Sequence, residues 1–141
     1  MNFYHITSIF NTESILLEGL RVHSQKHKNT IRIGEALTDL PFNRNEVIFL
    51  QKEKPGKLSM FSVFEINEDN IPKGSYVADR RCISYLAYDD AERLKKDLDA
   101  YRESILTWEE YIGMSDEYDL AHDTELIVPK DIPACDLNLR E

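Results

Sequence analysis

The segment TELIV at 124–128, which a proline follows, constrains the fold more than any other part of the chain. Its β-favouring residues predict a strand that the proline ends. Leu126 and Val128 occupy one face of this strand, while Glu125 shares the other face with Ile127. An acid on a strand that is apolar on both sides is costly to bury unless it is paired or used. Glu125 is therefore either a functional acid or one half of a salt bridge. The candidate partners for the salt bridge are Arg80, Arg81 and Lys130.

A histidine near the start of the chain, like Glu125, is a polar residue on a strand with apolar neighbours. FYHIT alternates with a period of two in β-favouring residues, which predicts a strand over residues 2–7. His5 shares its strand face with Phe3 and Thr7, so we expect its ring to be half-buried. A half-buried imidazole needs a hydrogen-bond partner or a ligand. Both a structural and a functional role stay open for His5.

The middle of the chain reads as short strands between turns. A helix over 12–18 is expected to end at Gly19, because glycine suits the left-handed residue after a helix. Segments 46–51 and 58–66 are rich in β-branched and aromatic residues, and the turn residues between them predict a hairpin. The other predicted elements are a loop at 24–30, a segment at 31–40 open between strand and helix, a strand at 74–78 and a loop at 113–123.

Residues 89–112 carry the longest helical pattern. Six apolar residues from Leu94 to Ile112 are spaced 4, 3, 4, 3 and 4 apart, with charges at many of the other positions. This stripe predicts a helix that covers one side of a sheet, and a dimer seam is the alternative. We therefore expect one α+β domain over 1–141, and a monomer unless the stripe is a seam.

The charge and the terminal residues exclude several classes of function. Residues 1–70 hold 9 acids and 8 bases, whereas residues 71–141 hold 17 acids and 9 bases, so the net charge divides as −1 and −8. A surface this acidic repels the phosphate backbone of nucleic acids, which argues against general nucleic-acid binding. Without a membrane-length apolar run or a signal-peptide pattern, we expect a cytoplasmic protein that does not bind membranes. Cys82 and Cys135 are expected to be reduced thiols.

Two further groups of residues are candidates for a site. His23 and His27 have the spacing of a helical metal site, but their segment reads as a loop without a third ligand, so we predict no metal. His122 and Asp123 either orient Glu125 or lie in a solvated loop.

The two ends of the chain together resemble ADP-ribosyltransferase-like domains. FYHITSIFNTESILLEGLRV is similar to the strand, helix and turn that open many of these domains, and TELIVPKDIPACDL resembles their last catalytic strand. EVIFLQ at 46–51 stands where their middle motif is expected. Bacterial toxin-type transferases and NAD-dependent RNA 2'-phosphotransferases share this layout. The second His and the Arg of the RNA enzymes have no match here, which makes that activity the less favoured of the two.

The resemblance implies a split, strongly bent β-sheet with peripheral helices and with NAD, as substrate, in the cleft. Glu125 corresponds to the catalytic acid, His5 to the residue that binds ribose hydroxyls, and Thr7 to a neighbour that positions nicotinamide. Phe49 stands where many members have a Tyr that stacks on nicotinamide. Arg80 and Arg81 are either pyrophosphate ligands or surface arginines that balance the negative charge of the acidic helix.

The implied function is mono-ADP-ribosylation of a protein or nucleic-acid acceptor, in the manner of a bacterial or phage toxin. The alternative is a catalytically inactive member of the same fold that binds a nucleotide or a protein partner. The missing Tyr and the acidic surface favour the alternative, whereas the acid at position 125 favours the enzyme.

Overall fold

A computed structural model describes residues 1–22 and 39–140 of the chain. Its sheet has seven strands in the order β5-β4-β6-β2-β1-β3-β7, and every neighbouring pair is antiparallel. The strands are β1 (Asn2–Ser8), β2 (Ile48–Gln51), β3 (Phe61–Asn67), β4 (Tyr76–Asp79), β5 (Leu106–Thr107), β6 (Thr124–Val128) and β7 (Asn138–Arg140). The helices are α1 (Thr12–Glu18), α2 (Ala91–Ser104), α3 (Trp108–Ile112) and α4 (Ser115–Ala121). The predicted α+β class is confirmed.

Both strands that carry the terminal motifs form where the alternation predicts them. β6 lies inside the sheet between β4 and β2, and all five of its residues are buried. α1 has the predicted bounds, and Gly19 follows it with a φ of 77°. An added Cβ at Gly19 would lie 2.1 Å from the carbonyl oxygen of Ile132, so the turn needs glycine for space as well as for φ.

The predicted hairpin between 46–51 and 58–66 is wrong. β2 and β3 do form in these segments, but they pair with opposite edges of β1 rather than with each other. A strand that is apolar on both faces is most stable inside a sheet, where the backbone groups along both of its edges have hydrogen-bond partners. The turn residues between the two segments mark a connection, but they do not fix which strands pair.

The sheet is covered by a hydrophobic cluster on each face. Leu126 and Val128 belong to a large cluster that includes Phe3, Trp108 and Tyr111. On the opposite face, Ile127 belongs to a smaller cluster. Its other buried members are Phe42, Val47, Ala78, Ile83, Leu98 and Tyr101. The alternation of β6 therefore supplies apolar side chains to both faces.

The helical pattern over 89–112 is two helices rather than one. α2 ends at Ser104, β5 pairs with β4 at the sheet edge, and α3 then begins with a capping box between Thr107 and Glu110. Because β5 lies at the sheet edge, the apolar residues of the stripe are divided between the two faces of the sheet. Leu98 belongs to the smaller hydrophobic cluster on one face, and Trp108 belongs to the larger cluster on the other. The predicted loop at 113–123 is also wrong, because it contains α4.

Truncation of Leu98 tests whether the stripe is a core. Leu98 is buried, so Leu98→Ala is expected to lower the free energy of unfolding by about 2–5 kcal/mol. Leu94→Ala is the matched control, since Leu94 lies on the same helix and is only half-buried, and its loss should be smaller. Urea denaturation measures both. An unchanged midpoint for Leu98→Ala, together with a change from dimer to monomer in gel filtration, would identify a dimer seam instead.

The predictions for 24–30 and for most of 31–40, and the pair His23 and His27, lie outside the described residues. None of the described helices is long and apolar enough to cross a membrane.

Candidate functional site

A cavity of about 650 Å³ lies where β1 and β2 meet. β1 and β3 pair at seven positions, whereas the register of β1 with β2 has the single pair Tyr4 and Gln51. The two central strands therefore run together only briefly. Of the site residues predicted from the sequence, five line the cavity: His5, Thr7, Phe49, Arg80 and Glu125. Arg81 is not among its lining residues.

His5 is fixed against the neighbouring strand. Its side chain is buried, and Nδ1 lies 3.2 Å from the backbone carbonyl oxygen of Phe49. A carbonyl can only accept a hydrogen bond, so Nδ1 carries the proton and donates it. This bond sets the orientation of the imidazole at the cavity wall. Close by, Thr7 Oγ1 accepts a hydrogen bond from Asn11 Nδ2 across 2.9 Å, which fixes the hydroxyl next to His5 along the strand.

Glu125 is paired with an arginine that the sequence did not indicate. The carboxylate is buried, and its Oε2 lies 3.5 Å from Nη1 of Arg44, which is buried too. Arg80, Arg81 and Lys130 were the expected partners, and all three are wrong. Arg44 lies in a loop before β2, and only the tertiary fold brings it to β6.

Tyr101 of α2 completes a buried group of three side chains. Its hydroxyl accepts a hydrogen bond from Arg44 Nη1 and donates to Glu125 Oε2 across 3.5 Å. The Arg44 guanidinium also lies over the ring of Phe49, with 4.5 Å between its Cζ and the ring centroid. Within the part of the chain that the structure describes, Glu125 Oε1 has no hydrogen-bond partner. Oε2 thus contacts Arg44 and Tyr101, Oε1 contacts neither, and Glu125 is one of the residues that line the cavity.

Burial dominates the electrostatics of this group. Loss of hydration raises the pKa of Glu125 above the ordinary value for a glutamate, although the charges of Arg44 and Arg80 and the hydrogen bonds of Arg44 and Tyr101 oppose the shift. The pKa of Tyr101 is raised by its own burial and then by the negative charge of Glu125. Tyr101 is therefore a neutral phenol, while Arg44 favours the ionised form of Glu125 against the effect of burial.

The two adjacent arginines have different surroundings. Arg80 lines the cavity, and its Nε and Nη2 donate to Asp123 Oδ2 across 3.2 and 3.1 Å. Arg81 instead donates to both carboxylate oxygens of Asp79 and to the carbonyl oxygen of Ala121. Burial acts to raise the pKa of Asp79, but the hydrogen bonds from Arg81 and from backbone amides outweigh it, so that the pKa is lowered. Arg81 therefore has a structural role.

The remaining candidates, His122 and Asp123, have partners other than Glu125. His122 stacks on Tyr118 with ring centroids 4.1 Å apart, and its Nδ1 lies 2.9 Å from the Tyr118 carbonyl oxygen. Asp123 contacts Arg80. Neither orients Glu125 directly. No cluster of His, Cys, Asp and Glu that could hold a metal occurs among residues 1–22 and 39–140.

Comparison of the chain with protein-family models, with curated proteins and with solved structures gives no match. Function is therefore inferred from the geometry of the cavity and from the motifs that line it.

Proposed function

We propose that the chain is an ADP-ribosyltransferase-like domain that cleaves NAD and transfers ADP-ribose to a protein or nucleic-acid acceptor. One observation carries this proposal: the strands of the opening, middle and closing motifs are neighbours, in the order β1, β2 and β6. This arrangement puts His5 and Glu125 on the wall of the same cavity, although 119 residues of chain lie between them. A cavity of about 650 Å³ also lies within the usual size range of ligand pockets.

The residues on the cavity wall can divide the binding of NAD between them. His5 and Thr7 are suited to ribose hydroxyls, since each is fixed by a hydrogen bond to its own surroundings. Phe49 offers a ring to nicotinamide. The Arg44 guanidinium lies over that ring, 4.5 Å from its centroid. Arg80 supplies a guanidinium, the group best suited to bidentate contact with a pyrophosphate.

Glu125 supplies the electrostatic part of the reaction. The bond between ribose C1′ and the nicotinamide nitrogen breaks, its electron pair leaves with neutral nicotinamide, and positive charge develops on the sugar. A carboxylate fixed in a buried position stabilises that charge without having to reorganise. The acceptor nucleophile then bonds to C1′ and releases its proton to solvent. Since only ionised Glu125 can act, and burial raises its pKa, the rate is expected to fall as the pH is lowered, starting at a higher pH than for an ordinary glutamate.

The inactive alternative is favoured by a specific contact. Glu125 already has a counter-charge in Arg44, and a buried ion pair needs no substrate to account for it. On this hypothesis the cavity binds a nucleotide or a protein segment without cleaving it, and the Phe at position 49 is a consequence of lost catalysis.

Adjacent arginines provide a test of the NAD site. Arg80→Ala is expected to weaken NAD binding by about 10-fold to 100-fold, because a hydrogen bond to a charged group contributes about 1.5–3 kcal/mol. Arg81→Ala is the matched control: it removes the same side chain one residue away, and should lower stability while leaving NAD affinity unchanged. Calorimetric titration of NAD into both variants measures the difference. Equal affinities in the two variants would remove Arg80 from the site.

A further inference from the structure

Tyr101 has a contact with Arg44 that changes how Arg44 meets Glu125. The phenol is completely buried on α2, and its oxygen accepts a hydrogen bond from Arg44 Nη1. The same Nη1 lies 3.5 Å from Glu125 Oε2. The closer contact of this nitrogen is thus with the neutral phenol rather than with the carboxylate.

An arginine and a carboxylate normally approach more closely than this. Charge-assisted N–H···O bonds are about 2.7–2.9 Å long, and burial should strengthen the attraction between two opposite charges. Arg44 could also donate another hydrogen bond, because its buried Nε has no hydrogen-bond partner among the described residues. Packing adds to the restraint, since the guanidinium lies over both the Phe49 ring and the Tyr101 ring.

We propose that Tyr101 is a positioning residue that holds Arg44 away from Glu125 and so keeps the carboxylate available to the cavity. This inference rests on the proposed function. Arg44 is near enough for its charge to favour ionised Glu125, but its nearest acceptor is the Tyr101 oxygen. Glu125 is then charged without being committed to a tight ion pair. A carboxylate in a tight pair would have part of its charge neutralised and would stabilise a cationic sugar less well.

Removal of the Tyr101 hydroxyl has two opposing effects on Glu125. It deletes a weak donor at 3.5 Å, which raises the pKa of the carboxyl, and it frees Arg44 to close on Oε2, which lowers that pKa. The second effect is expected to dominate. A charge-assisted bond is about twice as strong as a neutral one, and the phenol contact is at the outer limit of hydrogen-bond length.

The test is Tyr101→Phe with Tyr111→Phe as the matched control. Tyr111 is equally buried but lies in the cluster on the other face, with its hydroxyl on Lys52 and Asp119. Carbon-13 NMR titration of labelled glutamates measures the pKa of Glu125, and nicotinamide release gives kcat and KM. We expect Tyr101→Phe to lower the pKa of Glu125 and to reduce kcat by about tenfold, with KM little changed. The full loss of a preorganised group, on the order of 100-fold to 1000-fold, is the upper bound. Tyr111→Phe should change stability alone.

An unchanged or raised pKa of Glu125 in Tyr101→Phe overturns the inference, and so does a lowered pKa with unchanged kcat. A second measurement uses the Arg44→Gln background, which removes the cation that contacts Glu125 and leaves the charge of Arg80 the same in both proteins. There, Tyr101→Phe should no longer lower the pKa of Glu125, and a persisting decrease would contradict a role through Arg44. Failure of the proposed function is a separate result, because it appears as an absence of nicotinamide release in the unmodified protein.

Discussion

Glu125→Gln is expected to lower the rate of nicotinamide release by on the order of 100-fold to 1000-fold. Glutamine keeps the size of glutamate and one acceptor oxygen, so contacts to a ribose hydroxyl survive and NAD affinity should change little. The lost negative charge matters chiefly when the sugar becomes cationic. The defect should therefore appear in kcat rather than in KM. Single-turnover kinetics with NAD measure it.

A matched acid is available to exclude a general effect of charge. Glu65 lies on β3, outside the cavity, where its carboxylate accepts from Arg140. Glu65→Gln makes the same chemical change and should leave the rate unaltered. Turnover in Glu125→Gln equal to that in Glu65→Gln would show that Glu125 serves only the ion pair with Arg44.

Arg44→Met is expected to lower the free energy of unfolding by about 3–5 kcal/mol at neutral pH, the usual result of leaving a buried charge without its partner. Arg44 and Glu125 are both more than nine-tenths buried, so solvent screening does little to reduce the loss. Urea denaturation measures it. The double variant Arg44→Met/Glu125→Leu removes both charges and should recover most of the stability. A double variant as unstable as Arg44→Met would show that packing, rather than charge, holds Arg44.

The loss in Arg44→Met should also depend on pH. The pKa of Glu125 is already raised by burial, and removal of Arg44 raises it further. A carboxyl whose pKa is higher in the folded state than in the unfolded state favours folding at low pH. That contribution is lost as the pH rises from the ordinary glutamate value through the folded-state value. The deficit relative to the unmodified protein should thus be smallest in acid and grow toward neutrality.

Much of the candidate site was predictable because it depends on local patterns. The alternation around His5 and Glu125 fixed two strands and the burial of both polar residues. The order of the strands was not predictable in this way. Residues 46–51 and 58–66 are close in sequence and separated by turn residues, yet β1 lies between them. Which strands pair depends on which neighbours give hydrogen-bond partners to the backbone groups along both edges of β1. This is a property of the whole sheet.

The side chains behind Glu125 could not be predicted for a related reason. Arg44 stands in a loop with no periodic pattern, and Tyr101 appears in the sequence only as one apolar position of a helical stripe. Their meeting at β6 depends on the packing of α2 against β4 and on the path of the loop before β2. The sequence left two roles open for Arg80 and Arg81. In the structure they follow β4 and have different surroundings: Arg80 lines the cavity, whereas Arg81 forms an ion pair with Asp79.

Nicotinamide release from NAD by the unmodified protein is the decisive measurement of whether this domain is a transferase. Mass spectrometry of the products, with and without cell lysate as a source of acceptor, distinguishes cleavage from binding. If the domain cleaves NAD, nicotinamide accumulates in proportion to the folded protein, and Glu125→Gln, checked for folding by its melting curve, releases almost none. Intact NAD after incubation with folded protein and lysate would show that the domain does not cleave NAD, and would leave the cavity lined by His5 and Glu125 as a binding site without this chemistry.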